Sequence, residues 1–212
     1  EGMGLTLVGL GWALLAGPLI VGVPLESLVL LVSDRIPRKP LLVSALLAMG
    51  GTQLAVAASP GPWTLAFTLT LWGTATGVAT GVAEGALVAA RPDDVDRTMA
   101  RWALLGAIGD LGGPVLFGTL IALGFGWRAA LAVGAALAVV DALLVLAGPS
   151  LAATHQDPDE PKEPLRRAVA EALRHPTLLA WLTATTACTM LDETFVAFGS
   201  LYLRDVGASA VE

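Results

Sequence analysis

Apolar positions along the chain gather into six long runs, separated by short segments rich in charge, proline or glycine. Residues 5–33 form the first run and contain Pro18, Pro24 and Glu26. Two membrane spans need roughly 40 residues plus a turn, so this run predicts one helix. Residues 41–59 make the second span, and Ser59-Pro60-Gly61-Pro62 reads as a turn. Trp63 to Ala90 is the third span, and Arg91 to Arg101 a charged loop. Trp102 to Phe125 is the fourth, followed by the turn Gly126-Trp127-Arg128. Residues 129–148 are the fifth span, 149–176 a polar, proline-bearing loop, and 177–203 the sixth span. The pattern predicts an all-α membrane protein with six transmembrane helices. Within the long loop, Glu163 to His175 reads either as a short helix on the membrane surface, with Leu165, Val169, Ala172 and Leu173 on one side, or as a solvated linker.

Composition agrees. Of 212 residues, 55% are hydrophobic and 14% charged, with a mean hydropathy of +0.74, against about 25% charged residues in soluble domains. The net charge of -6 carries little information on partners, because the charges are segregated by loop. The 34–40, 91–101 and 149–176 loops hold ten of the twelve Lys and Arg, leaving Arg128 and Arg204 on the other side. By the excess of basic residues on cytoplasmic loops, those three loops lie inside. Trp12, Trp63, Trp102, Trp127 and Trp181 fall near span ends, where indoles favour the headgroup region. The basic residues are too few and scattered for a nucleic-acid surface. Cys188 lies in an apolar run and reads as a small packing residue. His155 and His175 fall in the long loop and read as solvated; no metal-ligand cluster, phosphate-cradling loop or cofactor motif is evident. No basic leader precedes the first apolar run, and the chain reads as a fragment truncated at both ends.

The segment Ser33-Asp34-Arg35-Ile36-Pro37-Arg38-Lys39 carries a resemblance. It is similar to the turn Gly-x-x-x-Asp-Arg-x-Gly-Arg-Lys between the second and third helices of major facilitator superfamily transporters. Asp34, Arg35, Arg38 and Lys39 match, while Leu30 and Pro37 stand where that turn has glycines. Five helices, a long charged loop and a further helix resemble the second to seventh helices of that superfamily. The resemblance then implies a partial N-terminal helical bundle over residues 1–148, with five transmembrane helices. It implies a cytoplasmic inter-bundle loop over 149–176 and the first helix of a C-terminal bundle over 177–212. It also implies that Asp34, Arg35, Arg38 and Lys39 act as a conformational latch, with Asp93, Asp94 and Asp96 as candidate partners.

The fourth span resembles the fifth-helix signature Gly-x-x-x-Gly-Pro-x-x-Gly-Gly of antiporters in the superfamily. Gly109, Gly113, Pro114 and Gly118 match, and Phe117 replaces one glycine. The alternative is a close helix–helix interface made by small residues. In the third span Thr76, Thr80 and Glu84 are four apart and share a face; by resemblance this helix lines the central cavity. The superfamily carries an arginine four residues before a glycine here. With Gly81 as that glycine, Gly77 replaces the arginine, so its role in proton coupling does not carry over.

Carboxylates inside spans are the strongest chemical signal, since burying one in hydrocarbon costs several kcal/mol. The candidates are Glu26, Glu84, Asp110, Asp141, Asp192 and Glu193. Glu84, Asp110 and Glu26 each lie about 10–12 Å from the inner end of their span and are candidate proton or substrate sites, together with Thr76 and Thr80. Withdrawal from water favours the neutral form of a carboxyl group, which lets such a group take up and release protons. The structural alternative is a protonated or paired acid holding helices together. Asp141 reads as structural, and at least one of Asp192 and Glu193 as solvated at the outer end.

The sequence thus points to a proton-coupled carrier of a small molecule in the cell membrane, of bacterial inner-membrane type, working by alternating access and leaning to efflux or antiport. It predicts no enzyme, no cofactor and no bound metal, with the lipid bilayer and protons as partners. A rival is an intramembrane enzyme of rhomboid-like serine protease type. Its nucleophile would be sought in Gly207-Ala208-Ser209-Ala210, which lacks the final glycine and has no histidine after it. A non-transporting membrane scaffold is the third reading.

Overall fold

The computed structural model describes residues 17–33, 36–149, 151, 170–171 and 173–207. A π-helical turn, Pro18–Gly22, leads into α1, Val23–Ser33. Then come α2, Arg38–Ala58; α3, Pro62–Ala90; a 3-10 turn, Pro92–Asp94; α4, Val95–Ala122; α5, Trp127–Ala147; and α6, Pro176–Asp205. The chain forms two compact units, Glu1–His155 and Gln156–Glu212. The described residues are all-helical apart from turns. Among the described residues, four helical segments are long and apolar enough to cross a membrane: Arg38–Ala58, Pro62–Ala90, Pro92–Ala122 and Trp127–Ala147. Ile20–Leu31 is a shorter apolar helix. In the second unit, α6 is one continuous helix of 30 residues over the sixth predicted span.

The charged loop expected over 91–101 is largely helix. Only Arg91 separates α3 from the 3-10 turn, and α4 begins at Val95. The reason is local. Pro92 suits the first position of a helical turn, and Asp93, Asp94 and Asp96 favour the positive end of the helix dipole. Residues 163–169 of the expected surface helix lie outside the described residues.

Helix ends are set by ordinary chemistry. Pro24 has no N–H for the carbonyl of Ile20, and its ring crowds that carbonyl. The wider π turn just before it relieves the clash. The α2–α3 turn is held by Thr64, whose Oγ1 accepts from Gly61 N at 3.2 Å and donates to Gly61 O at 2.8 Å. After α4, Gly124 adopts φ +85°, Gly124 N donates to Ile121 O and Phe125 N donates to Leu120 O, each at 2.9 Å. That is a Schellman ending, and it needs a residue without a Cβ.

In the first unit α2 and α5 run antiparallel in close contact. A Cβ on Gly50 would stand 3.1 Å from the carbonyl oxygen of Ala135. Gly134 admits the buried Gln53 amide. Ala130, Ala135, Ala138 and Ala142 are buried along α5. Small residues let helix backbones approach, which is how helices associate where lipid removes the hydrophobic driving force. The core cluster is Leu42 and Ala45 of α2 with Val78, Ala79 and Val82 of α3, and Val29 and Leu30 of α1 pack against it.

Two cations brace the α2–α5 pair from opposite ends. Lys39 Nζ, at the start of α2, donates to Gly148 O at the end of α5, at 2.7 Å. Arg128 Nε, at the start of α5, donates to Ala57 O at the end of α2, at 2.8 Å. Each cation meets the last carbonyls of its antiparallel partner, where the helix dipole is negative. Arg128 also lies 4.6 Å over the Trp127 ring. Hydroxyls within the helices are satisfied by the preceding turn: Thr70, Thr74 and Thr76 donate to the carbonyls of Ala66, Thr70 and Trp72 at 2.9 Å.

Candidate functional site

The seam between α1 and α3 is built on a glycine ladder. Gly73, Gly77, Gly81 and Gly85 recur every fourth residue and so lie along one side of α3. Gly73 has open space before it, while side chains of α1 lie against Gly77 and Gly81. The Glu26 carboxyl lies against Gly77, in the space that a Cβ would take. Leu30 covers Gly81, where a Cβ would stand 3.0 Å from Leu30 Cδ2. At Gly85 the filler is Arg38, at the start of α2, whose Nη1 donates to Gly85 O at 2.8 Å. Residue numbers rise together along the seam, so α1 and α3 run parallel.

Beside Gly81 and Gly85 lies an open cavity of about 640 Å³, at the end of the unit that carries Arg38 and Lys39. Arg38, Gly81, Glu84, Gly85, Val88 and Val95 are among the residues lining it. Glu84 is exposed on the cavity side, two turns beyond Gly77. Thr80 is also exposed and Thr76 half-buried, so the expected Thr76–Thr80–Glu84 face is largely free within this unit.

The other candidates scatter. Asp110 is exposed on α4, away from the cavity lining. Gly109, Gly113 and Gly118 have open space before them: among the described residues nothing stands within 4 Å of a Cβ placed on any of the three. Pro114 sits inside a continuous α4. The close helix interface considered for these glycines is therefore not made within the described residues. Asp141 is exposed on α5. Asp34 and Arg35 of the basic turn, and the side chains of Asp192 and Glu193, lie outside the described residues. Arg38 donates to Gly85 within the last two turns of α3 and Lys39 to Gly148 just after α5, while Asp93, Asp94 and Asp96 are exposed.

The sequence has a counterpart among known families. The sequence model of the Major Facilitator Superfamily matches residues 1–212. The chain belongs to the major facilitator superfamily. It is a multi-pass membrane protein and a transporter of major facilitator type. No curated protein and no solved structure matches it.

Within this superfamily member, the notch at Gly77 is the feature that the sequence reading passed over. Gly77 stood out there as the place of a missing arginine. The four-residue glycine spacing was already a signal of close helix approach, but which side chains would fill it was not visible along the chain.

Proposed function

We propose that the chain forms part of a proton-coupled secondary transporter that moves a small molecule by alternating access, with efflux by antiport as the preferred direction. Residues 1–148 form the helices of an N-terminal bundle, 149–176 the cytoplasmic connection, and 177–212 the first helix of a C-terminal bundle. The end bearing Arg38 and Lys39 faces the cytoplasm, and the membrane is a bacterial inner membrane. The observation that carries the coupling is Glu84, a carboxylate inside an apolar helix that borders a cavity also lined by Arg38. Such a group meets water when the cavity is open and loses it when the bundles close. Hydration favours its ionised form and occlusion its neutral form, and that difference ties proton movement to the conformational cycle. Asp110 and Glu26 are further proton-bearing groups, and Thr76 and Thr80 offer hydroxyls to substrate along the same face.

Arg38 and Lys39 fix the basic turn to the ends of α3 and α5. This supports their place as the base of a latch of which Asp34 and Arg35 are the further members. The test of the proposal is Glu84→Gln in the intact transporter in proteoliposomes. Accumulation driven by a pH gradient is lost, while substrate exchange at equilibrium remains, because exchange needs no net proton transfer. Asp110→Asn has the smaller effect. Continued accumulation by Glu84→Gln under an imposed gradient overturns the assignment of the coupling proton to Glu84.

A further inference from the structure

Two opposite charges border the open cavity beside α3 without pairing with each other. Glu84 of α3 and Arg38 of α2 both line it. Arg38 Nη1 donates to Gly85 O at 2.8 Å, which seats the guanidinium beside the residue next to Glu84. Successive side chains leave a helix about 100° apart, so neighbours in sequence do not face each other. Among the described residues no ion pair joins the two groups, and no hydrogen bond engages the Glu84 carboxylate. The guanidinium has further N–H donors in its planar fork beyond the one on Gly85. Gly85 carries no side chain, and only Arg38 Nη2 comes within 4 Å of a Cβ placed there, at 3.9 Å. Val88 and Val95 give the cavity an apolar wall. Asp93 and Asp94, in the adjoining turn, are exposed and outside the lining.

We propose that this cavity binds a zwitterionic small molecule with an apolar body, its cationic group on Glu84 and its anionic group on Arg38. The proposal rests on the reading of the chain as a secondary transporter and names the class of its substrate. The charges decide the class. The pair sums to zero, so a ligand that carries only a cation satisfies Glu84 and brings a like charge to Arg38. A ligand that carries only an anion does the reverse. Either one leaves a protein charge unpaired beside it, and withdrawing an unpaired charge from water is costly. An uncharged molecule draws both charges away from water and pairs neither. A zwitterion meets both through charge-assisted hydrogen bonds, which are the strong ones. The guanidinium fork matches a carboxylate or a phosphate, which accepts two parallel bonds from it. The Glu84 carboxylate accepts from an ammonium. The bare backbone at Gly85 leaves room between the two charges, and the apolar body lies along Val88 and Val95. The cavity volume of about 640 Å³ falls within the range of about 300–1,000 Å³ usual for small-molecule sites.

The test is calorimetric titration of intact transporter in detergent, near neutral pH, with probes of known charge. Leucine and ε-aminocaproate are the zwitterions, with short and long charge separation. Isoamylamine and pentylamine are the same molecules without the carboxylate; isocaproate and caproate are the same molecules without the ammonium. At least one zwitterion binds, about tenfold or more tighter than both of its singly charged counterparts, because a hydrogen bond to a charged group contributes about that factor or more. In Glu84→Gln the favoured zwitterion binds no better than its anionic counterpart. In Arg38→Gln, which keeps an N–H donor for Gly85 O, it binds no better than its cationic counterpart. Arg38→Lys keeps the charge and retains the preference. Absence of binding by both zwitterions overturns the proposal. So does a singly charged counterpart that binds as tightly as its zwitterion, or a preference that survives in either folded Gln variant. Failure of the transporter reading registers separately, as a protein that prefers the zwitterion in titration but carries none of it across proteoliposome membranes.

Discussion

The carboxyl group of Glu26 occupies the space that a side chain on Gly77 would need. A carboxylate on α1 thus reaches α3 at a position without a side chain of its own. Glu26 and Gly77 act as one unit: the first has room only because the second has no Cβ.

Gly77→Ala should therefore displace Glu26. The Glu26 carboxyl is the free end of a flexible, half-exposed side chain and can swing aside, so the melting temperature in detergent should fall by less than the several degrees expected from the about 1–3 kcal/mol of overpacking a filled core. Gradient-driven transport should fall, because the carboxyl no longer sits against α3. Wild-type transport in Gly77→Ala would show that the placement of Glu26 is without consequence.

Lys39 and Arg128 brace opposite ends of the same helix pair, and their removal should be felt as loss of stability. A cation on the last carbonyls of a helix contributes about 0.3–1 kcal/mol. Lys39→Ala and Arg128→Ala should each lower the melting temperature by a small, measurable step. The contacts lie at opposite ends of helices of 21 residues, too far apart to share partners, so the double variant should show the sum of the two steps. A double variant no worse than either single one would mean that the two contacts are alternatives.

Topology gives a third check. Single cysteines placed in a Cys188→Ser background at positions 93 and 160 should label from the cytoplasmic side. Positions 61 and 126 should label from the outside. External labelling at position 160 would reverse the orientation and remove Glu84 from the cytoplasmic cavity.

Much of this protein can be read along the chain. Apolar runs long enough to cross a bilayer predict the helices, because in lipid every backbone polar group must be satisfied within its own segment. The observed α2, α3 and α5 begin and end within three residues of their predicted bounds. The start of α4 is the exception: the charge over 91–101 predicts a loop, whereas Pro92 and the three aspartates before Arg97 form a helix start. The family, too, was legible, through Asp34, Arg35, Arg38 and Lys39 and the order of spans.

What the chain could not disclose is which faces meet. Glu26, Leu30 and Arg38 are separated from Gly77, Gly81 and Gly85 by about fifty residues, and nothing local links them. Their pairing follows from two parallel helices locked by glycine notches, a three-dimensional fit with no signature at short range. The reciprocal bracing by Lys39 and Arg128 arises in the same way, from the antiparallel register of α2 and α5. Sequence alone determined which segments are helices and that carboxylates lie within them, because those depend on hydrophobicity and spacing. Tertiary structure decided that Glu26 sits in a notch at Gly77, that Leu30 covers Gly81 and that Glu84 borders a cavity, because packing alone sets what fills the space beside a glycine.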